Sequence, residues 1–479
     1  MSLSAIDRRP ITTSATPSSG GVDVLRWTGF GGVVLLTGAA WTGTVALAAG
    51  VAGVGLLVLS WALLGRSVLA GRPRPSARWL KRTLVLWCGP LLVAPPLFSL
   101  DLYSYLAQGE VAARGLDPNA VGPATGLGAT ADAVQRVGGY WQDTPSPYGP
   151  LFGAVERLIA QVSAGDPVVG VLLHRVVEVL GLALIVWAVP RLAGASGRAA
   201  LWLGVLNPLV LWHLVAGAHN DSLMLGLMLA GTAVALGALR EGVDWWPLAF
   251  GVGLIALAAE VKLPALVALA VVGTALARRR GGGFVLVGLG MAGAFLVVSV
   301  GVSVLTGLGF GWVRVLGTSG LVASWMAPTN WFGFAIGGIG SLFGADLTTT
   351  MIGVGKVVGY VLAAGVIAVV LHRQLRGRVD AVTALGLVLA AVVLLGPVVQ
   401  PWYLLWAVVP LAVAPVTTLV RARLAAVVAV FAVLVPPLAG NFSGRVGQLV
   451  VGYAVGILVV GAAFLLLRRK SIEKPRSRV

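Results

Sequence analysis

The chain has 479 residues, of which 58% are hydrophobic and only 11% charged, against the roughly 25% charge of a soluble domain. That balance excludes an ordinary soluble globule, and a net charge of +17 carried mainly in short loops between apolar runs speaks for membrane topology rather than nucleic acid. The single Cys, Cys88, excludes an intramolecular disulfide framework, and no Cys/His cluster suggests zinc.

In chain order, residues 1–25 form a polar, Ser/Thr-rich tail with Arg8 and Arg9, too long and too polar for a cleaved signal peptide and read as cytoplasmic. Apolar segments then follow at 26–46, 49–66 and 83–99. After a long polar stretch they resume at 168–190, 199–217, 221–239, 247–261, 264–277 and 283–306. A second long interruption precedes 351–371, 381–398, 403–419, 424–440 and 449–467. Residues 468–479 are a basic tail. The alternating ten-residue segments of a membrane barrel are absent. The expectation is an all-α polytopic membrane protein, one transmembrane domain over 26–467 with about 12–14 helices, since the shorter segments can merge. With both ends inside, most Lys and Arg fall in the inner loops and most acids on the outer side, so the topology is self-consistent.

Two outer loops are long, 101–167 and 307–350, and loops of that length are usually functional or disordered. The first opens with "DLYSYLAQGEVAARGLDPNAVGP", whose start reads as an amphipathic helix lying on the bilayer. Asp101, at its head, is either an N-cap or a general base placed to deprotonate an acceptor hydroxyl. Tyr103 stands beside it. Further on, "YWQDTPSPYGPLFG" carries Tyr140, Trp141, Asp143 and Tyr148, either an interfacial aromatic belt or a sugar subsite. In "HRVVEVLG", Arg175 and Glu178 stand at i, i+3 and are expected to neutralise each other.

"GAHNDSLMLGL" places His219, Asn220 and Asp221 at a helix mouth. One of the latter two suits an N-cap, whereas His219 could bind a phosphate or hydroxyl or simply sit at the interface. "AAEVKLPAL" sets Glu260 and Lys262 inside an apolar stretch, with Pro264 breaking the helix. Ionisable groups at such depth are costly and are functional candidates. The second loop, with "GFGWVRVLG" and "SWMAPTNWFGFAIGGIGSLFG", reads as interfacial or re-entrant structure and carries Arg314. Finally "QPWYLLW" puts Gln400, Trp402 and Tyr403 at a kink, as belt anchors or as contacts to a sugar or isoprenoid.

Taken in order, "DLYSYLAQGEVAARGLDPNAVGP", "PSPYGPL", "GAHNDSLMLGL", "EVKLPAL" and "QPWYLLW" resemble the actinobacterial polyprenol-phosphomannose-dependent α-1,6-mannosyltransferases (MptA/MptB type) of the GT-C superfamily. The resemblance covers nearly everything from about Trp27 to Leu467. It implies a GT-C-like bundle with extracytoplasmic juxtamembrane helices, whose active face is built from the two outer loops. It further implies mannosyl transfer from polyprenyl-phosphate-mannose to a lipid-anchored mannoside as an inverted, α-1,6-linked product in lipomannan and lipoarabinomannan synthesis. The setting would be the plasma membrane, with the active site on its extracytoplasmic face. Asp101 matches the family's expected base. Lys262, Arg314 and His219, in that order, are candidates for the donor phosphate. Tyr103, Tyr140, Trp141, Asp143, Tyr148, Asn220, Asp221, Gln400, Trp402 and Tyr403 are candidates for sugar and acceptor contacts. No metal or other cofactor is expected. The rival reading is a transporter or flippase of a lipid-linked sugar. Against it, only one broken segment is evident, at Lys262–Pro264, with no counterpart in the other half.

Overall fold

The computed structural model describes residues 20–69, 75–438 and 442–472; the expected cytoplasmic tail and most of the basic C-terminal tail lie outside them. Among the described residues every ordered element is helical. The chain begins with α1 (Gly20–Thr42), α2 (Leu47–Leu69) and α3 (Ala77–Leu91). Then comes a set of short helices, α4 (Asp101–Ala113), α5 (Pro123–Leu127), α6 (Asp132–Gln135) and α7 (Pro150–Ser163). Helix α8 (Pro167–Ala193) runs on through α9 (Gly197–Ala200) into a π-helical turn at Leu201–Val205, and a second π turn follows at Val210–Ala216. Next are α10 (Asp221–Gly237), α11 (Trp245–Val261), α12 (Val267–Arg279), α13 (Phe284–Thr306), α14 (Trp312–Val315) and α15 (Pro328–Leu342). The chain ends with α16 (Thr348–Leu375), α17 (Ala381–Leu395), α18 (Leu404–Val413), α19 (Thr418–Leu434) and α20 (Val446–Ile472).

Each apolar segment read from the sequence meets helix, but few are single spanning rods. Five helical stretches among the described residues are long and apolar enough to cross a membrane alone: 47–69, 167–205, 284–306, 348–375 and 446–468. A sixth forms if Val210–Ala216 and Asp221–Gly237, bent by 109°, count as one broken span. This is a multi-pass membrane protein. Helices α11 and α17, and the stretch Pro401–Val413, are apolar but shorter than the ~20 residues a lone span requires.

The packing has a buried centre and an apolar rim. The two π turns and α18 are almost wholly buried and α10 is buried over most of its length, whereas α13, α16 and α20 bury under a fifth of their apolar windows and turn the rest outward. Close approach in the centre rests on small residues, as expected where lipid supplies no hydrophobic drive between helices. A Cβ at Gly231 on α10 would stand 2.5 Å from the Gly251 carbonyl of α11, and one at Gly251 2.6 Å from the Gly231 carbonyl.

One reversal positions the site. Lys262 follows α11 in extended conformation, φ −155° and ψ 122°, because Pro264 cannot donate the hydrogen bond that would continue the helix. Helix α12 then runs back alongside α10. They meet at one end through Asp221 and Lys262, and at the other Leu236 and Leu239 share a cavity with Arg278 and Arg279. The turn at Lys262 therefore lies at the same end of the bundle as α7, where Gly149 packs against the Glu260 backbone.

Candidate active site

Asp101 opens α4 as its first residue, but not as its cap. The capping position is Leu100, and no side chain caps there; the Asp101 N–H donates to Ser99 Oγ at 3.1 Å. The carboxylate is left free to face a cleft, a quarter of its side-chain surface remaining open. Burial pushes the Asp101 carboxyl above its ordinary range; Ser99 and the Lys262 cation pull it down, and Asp221 pushes it up. Phe98, three residues earlier, holds φ at +65° with its N–H on the Pro437 carbonyl (3.0 Å) and its ring stacked on Trp212. A bulky residue in left-handed conformation stores strain of the kind that gathers at functional sites.

The cleft is narrow, with a cavity volume of about 70 Å³, below the ~300–1,000 Å³ usual for small-molecule pockets. Helix α4 lends it Asp101, Ser104, Tyr105 and Gln108, all on one helical face. Trp141, Pro147 and Tyr148 come from the first long loop, Val322 from the second, and Gln400, Trp402 and Tyr403 from the break before α18.

Lys262 stands behind this aromatic wall. Its Nζ lies 4.9 Å from the Tyr403 ring centroid, 5.5 Å from Trp406 and 5.7 Å from Tyr148, a cation–π cage. Nζ donates to Asp221 Oδ2 at 2.8 Å and to Asn220 Oδ1 at 3.4 Å, while Asp221 Oδ1 accepts from Trp406 Nε1 at 2.6 Å. Asn220 occupies the cap position of α10 yet makes no side-chain cap, so neither it nor Asp221 plays the capping role open to them in the sequence. His219, fully buried, places Nδ1 3.4 Å from Asp101 Oδ2 and stacks on Trp402 at 4.0 Å. The residue before it, Ala218, is a second non-glycine in left-handed conformation, φ +46°.

The loops explain the placement of Tyr148. Asn119 Nδ2 donates to the Ser146 carbonyl at 2.7 Å and to that of Tyr148 at 3.4 Å, and the Ser146 N–H returns to the Pro118 carbonyl at 2.7 Å. "GLDPN" thus pins "SPYG". On the opposite wall, Ser324 Oγ donates to the Val399 carbonyl, and Asn330 Nδ2 to those of Ser324 and Pro397, fixing the extended approach to Gln400. The second loop is therefore built into the site.

Not every candidate converges. Tyr103 lines a separate cleft on the opposite face of α4 with Glu110, Asp132 and Arg136. Tyr140 is exposed and meets Trp141 edge-on. Asp143 accepts from Thr125 Oγ1 at 2.8 Å, a loop contact, and Gln142 is spent on the Val134 and Val137 carbonyls. Arg314 is exposed on the one-turn α14 and joins none of the cleft residues. Arg175 and Glu178 do not pair: Arg175 donates to the Leu92 and Ala216 carbonyls and Glu178 accepts from the Leu223 N–H, because each satisfies a backbone group freed by a helix end or break. Conversely Tyr105, Gln108 and Trp406 enter the site without having been singled out. Among the described residues no three His, Cys, Asp or Glu side chains gather as a metal ligand set.

Comparison with known proteins identifies the family. The model of the alpha-(1->6)-mannopyranosyltransferase N-terminal domain matches residues 13–278, and that of the MptB C-terminal domain matches 329–466. A probable alpha-(1->6)-mannopyranosyltransferase of Mycolicibacterium smegmatis is 44% identical over 77% of this chain and 71% of its own. An alpha-(1->6)-mannopyranosyltransferase of Mycobacterium tuberculosis is 40% identical over the same shares, 77% and 71%. Alpha-(1->6)-mannopyranosyltransferase B of Corynebacterium glutamicum is 39% identical over 75% of this chain and 64% of its own. No solved structure matches. With an all-helical membrane fold, a carboxylate and a caged lysine at one rim, and this extent of identity, the chain belongs to the alpha-(1->6)-mannopyranosyltransferase family.

Proposed function

We propose that the cleft transfers mannose from polyprenyl-phosphate-mannose to the primary hydroxyl of a lipid-anchored mannoside, inverting at C1 to leave an α-1,6 linkage. The observation that carries this reading is one open carboxylate, Asp101, in a cleft of aromatic and amide side chains, with one caged cation, Lys262, behind the Tyr148 and Tyr403 wall of that cleft. Asp101 accepts the acceptor's hydroxyl proton as that oxygen forms its bond to C1. The C1–O bond to phosphate breaks on the opposite face and its electron pair stays with the phosphate. A phosphate leaving group needs no protonation, and Lys262, steered by Asp221 and Asn220, meets its growing negative charge. Tyr148, Trp402 and Tyr403 offer faces to sugar C–H groups, and Gln108 and Gln400 offer amides to hydroxyls. Lysine takes the charge-neutralising role in this scheme, so no metal or other cofactor is invoked.

The donor's lipid tail lies in the bilayer, and the Asp101 rim is assigned to the extracytoplasmic face of the plasma membrane, where lipomannan and lipoarabinomannan grow. The MptB-type C-terminal match supports a B-type member. The test is transfer from radiolabelled polyprenyl-phosphate-mannose to a synthetic α-1,6-mannoside in membranes without an energised gradient. Wild-type protein transfers label and Asp101→Asn does not. Label that crosses the membrane but never joins the mannoside would point to a carrier instead.

A further inference from the structure

We propose that His219 is a positioning residue for Asp101. Its Nδ1–H holds Asp101 Oδ2 and leaves Oδ1 to take the acceptor's proton, and Trp402 fixes the imidazole plane. The inference deepens the reading of Asp101 as base and rests on it. It also moves His219 away from the donor phosphate.

Four observations carry it. His219 Nδ1 lies 3.4 Å from Oδ2, a distance common for catalytic pairs that tighten when substrate binds. Both ring nitrogens are buried and make no hydrogen bond, so the Asp101 oxygen, within ion-pair distance, is the acceptor that Nδ1 can serve. The ring is sandwiched: Trp402 stacks on it at 4.0 Å and 28°, and His213 meets it edge-on at 5.6 Å. The backbone is bent to deliver it, with Ala218 at φ +46° and the His219 N–H on the His213 carbonyl at 3.0 Å. Gly217 leaves the ring its room, since a Cβ there would lie 3.0 Å from His219 Cδ2. A carboxylate at the first position of a helix that is not spent on capping it needs such a partner to aim one oxygen.

The other titratable groups around the pair are Lys262 at the turn after α11, Asp221 on α10, His213 on the second π turn, Tyr105 on α4, and Tyr148 and Tyr403 on the cleft wall. They stay constant in the variants below. A hydrogen bond to the charged form favours it, so losing His219 raises the pH at which Asp101 ionises.

The full-length protein in membranes is assayed with polyprenyl-phosphate-mannose and an α-1,6-mannoside. His219→Ala should lower kcat about 10²-fold, keep donor KM within about twofold, and move the acid limb of kcat/KM to higher pH. His219→Asn, whose amide nitrogen overlays Nδ1, should recover at least about tenfold of that loss, whereas His219→Gln, which mimics Nε2, should not. Gly217→Ala, which displaces the ring without removing it, should shift the acid limb the same way. A donor KM raised tenfold or more with kcat and acid limb unchanged would make His219 a phosphate ligand and overturn the proposal. Rescue by His219→Gln rather than His219→Asn would overturn it too. Should His219→Ala fail to fold, His219→Asn and Gly217→Ala decide. If Asp101→Asn keeps turnover, the base assignment itself falls. If Asp101→Asn is inactive while the His219 variants match wild type, only the role of His219 falls.

Discussion

Asp221 joins Lys262 to Trp406: one carboxylate oxygen accepts from the ammonium at 2.8 Å, the other from the indole N–H at 2.6 Å. Neither the lysine nor the carboxylate would be tolerable alone in that position, since Asp221 is fully buried and Lys262 is 13% exposed. Together they fix an ammonium behind the Tyr148 and Tyr403 wall of the cleft, where the proposed phosphate leaving group would need a cation.

Removing half of a buried pair strands the other half. Asp221→Ala should destabilise the protein by about 3–5 kcal/mol, as for other broken buried ion pairs. Asp221→Asn keeps the shape and the acceptor for Trp406 but loses the charge, and should cost less stability while lowering transfer. Thermal unfolding in detergent read beside transfer rate separates the two. A stability loss for Asn equal to that for Ala would show that the charge carries the whole effect, whereas wild-type stability and transfer for Asn would show that the charge does not matter.

Lys262→Ala should reduce kcat/KM for the donor by about 10²-fold, the loss typical of removing one preorganised charge stabiliser. Acceptor KM should hardly move. Lys262→Arg keeps a cation but its planar fork does not fit between Tyr148, Tyr403 and Trp406, so its recovery should be partial. Initial rates at varied donor and acceptor concentrations check this, and equal losses on both substrates would give Lys262 a structural role only.

The raised ionisation of Asp101 has opposite consequences for activity and stability. As a base it works only when ionised, so turnover should rise with pH through its ionisation. Burial makes the folded protein hold this proton where the unfolded chain, at about pH 3.9, has begun to release it. Stability from this group therefore falls as pH rises from the unfolded value toward the folded one. Asp101→Asn removes the buried charge and should melt higher than wild type at pH 7 while losing transfer. A lower melting temperature would mark Asp101 as structural.

The polar elements of the site were readable because they interrupt apolar runs. Asp101, His219, Asp221, Lys262 and the "QPWY" break all stand out against their surroundings, and the structure brings them to one rim. Trp406 does not stand out: it sits in the apolar "LLWAVVP" and its indole partner is 185 positions away. Tyr103 and Tyr105 are equally conspicuous in "DLYSY", but two residues of helix turn a side chain by about 200°, so Tyr105 joins Asp101 and Tyr103 faces away. Arg175 and Glu178 satisfy the spacing rule for an ion pair and still do not pair, because backbone groups beside them needed partners more. The spans show the same division. Hydropathy located the apolar segments, whereas the turns at Lys262 and through 206–220 made many of them too short or too bent to cross alone.

Asn119 offers a test of the loops that is independent of the chemistry. Its side-chain amide donates to the Ser146 and Tyr148 carbonyls, its backbone N–H donates to Asp117 Oδ1 at 2.9 Å, and Gly311 of the second loop packs on its Cβ. Asn119→Ala leaves the buried Ser146 carbonyl without its donor, a loss of about 1–3 kcal/mol. The strain falls on Tyr148, whose position over Lys262 also depends on Gly149 lying against Glu260. Helices α10 to α13 do not touch this loop except at that end, so the bundle should stay folded while donor KM rises several-fold. Limited proteolysis should then find new cleavage within 115–150 and none in the bundle. Cleavage spread over the whole chain would mean that Asn119 supports the fold rather than the cleft.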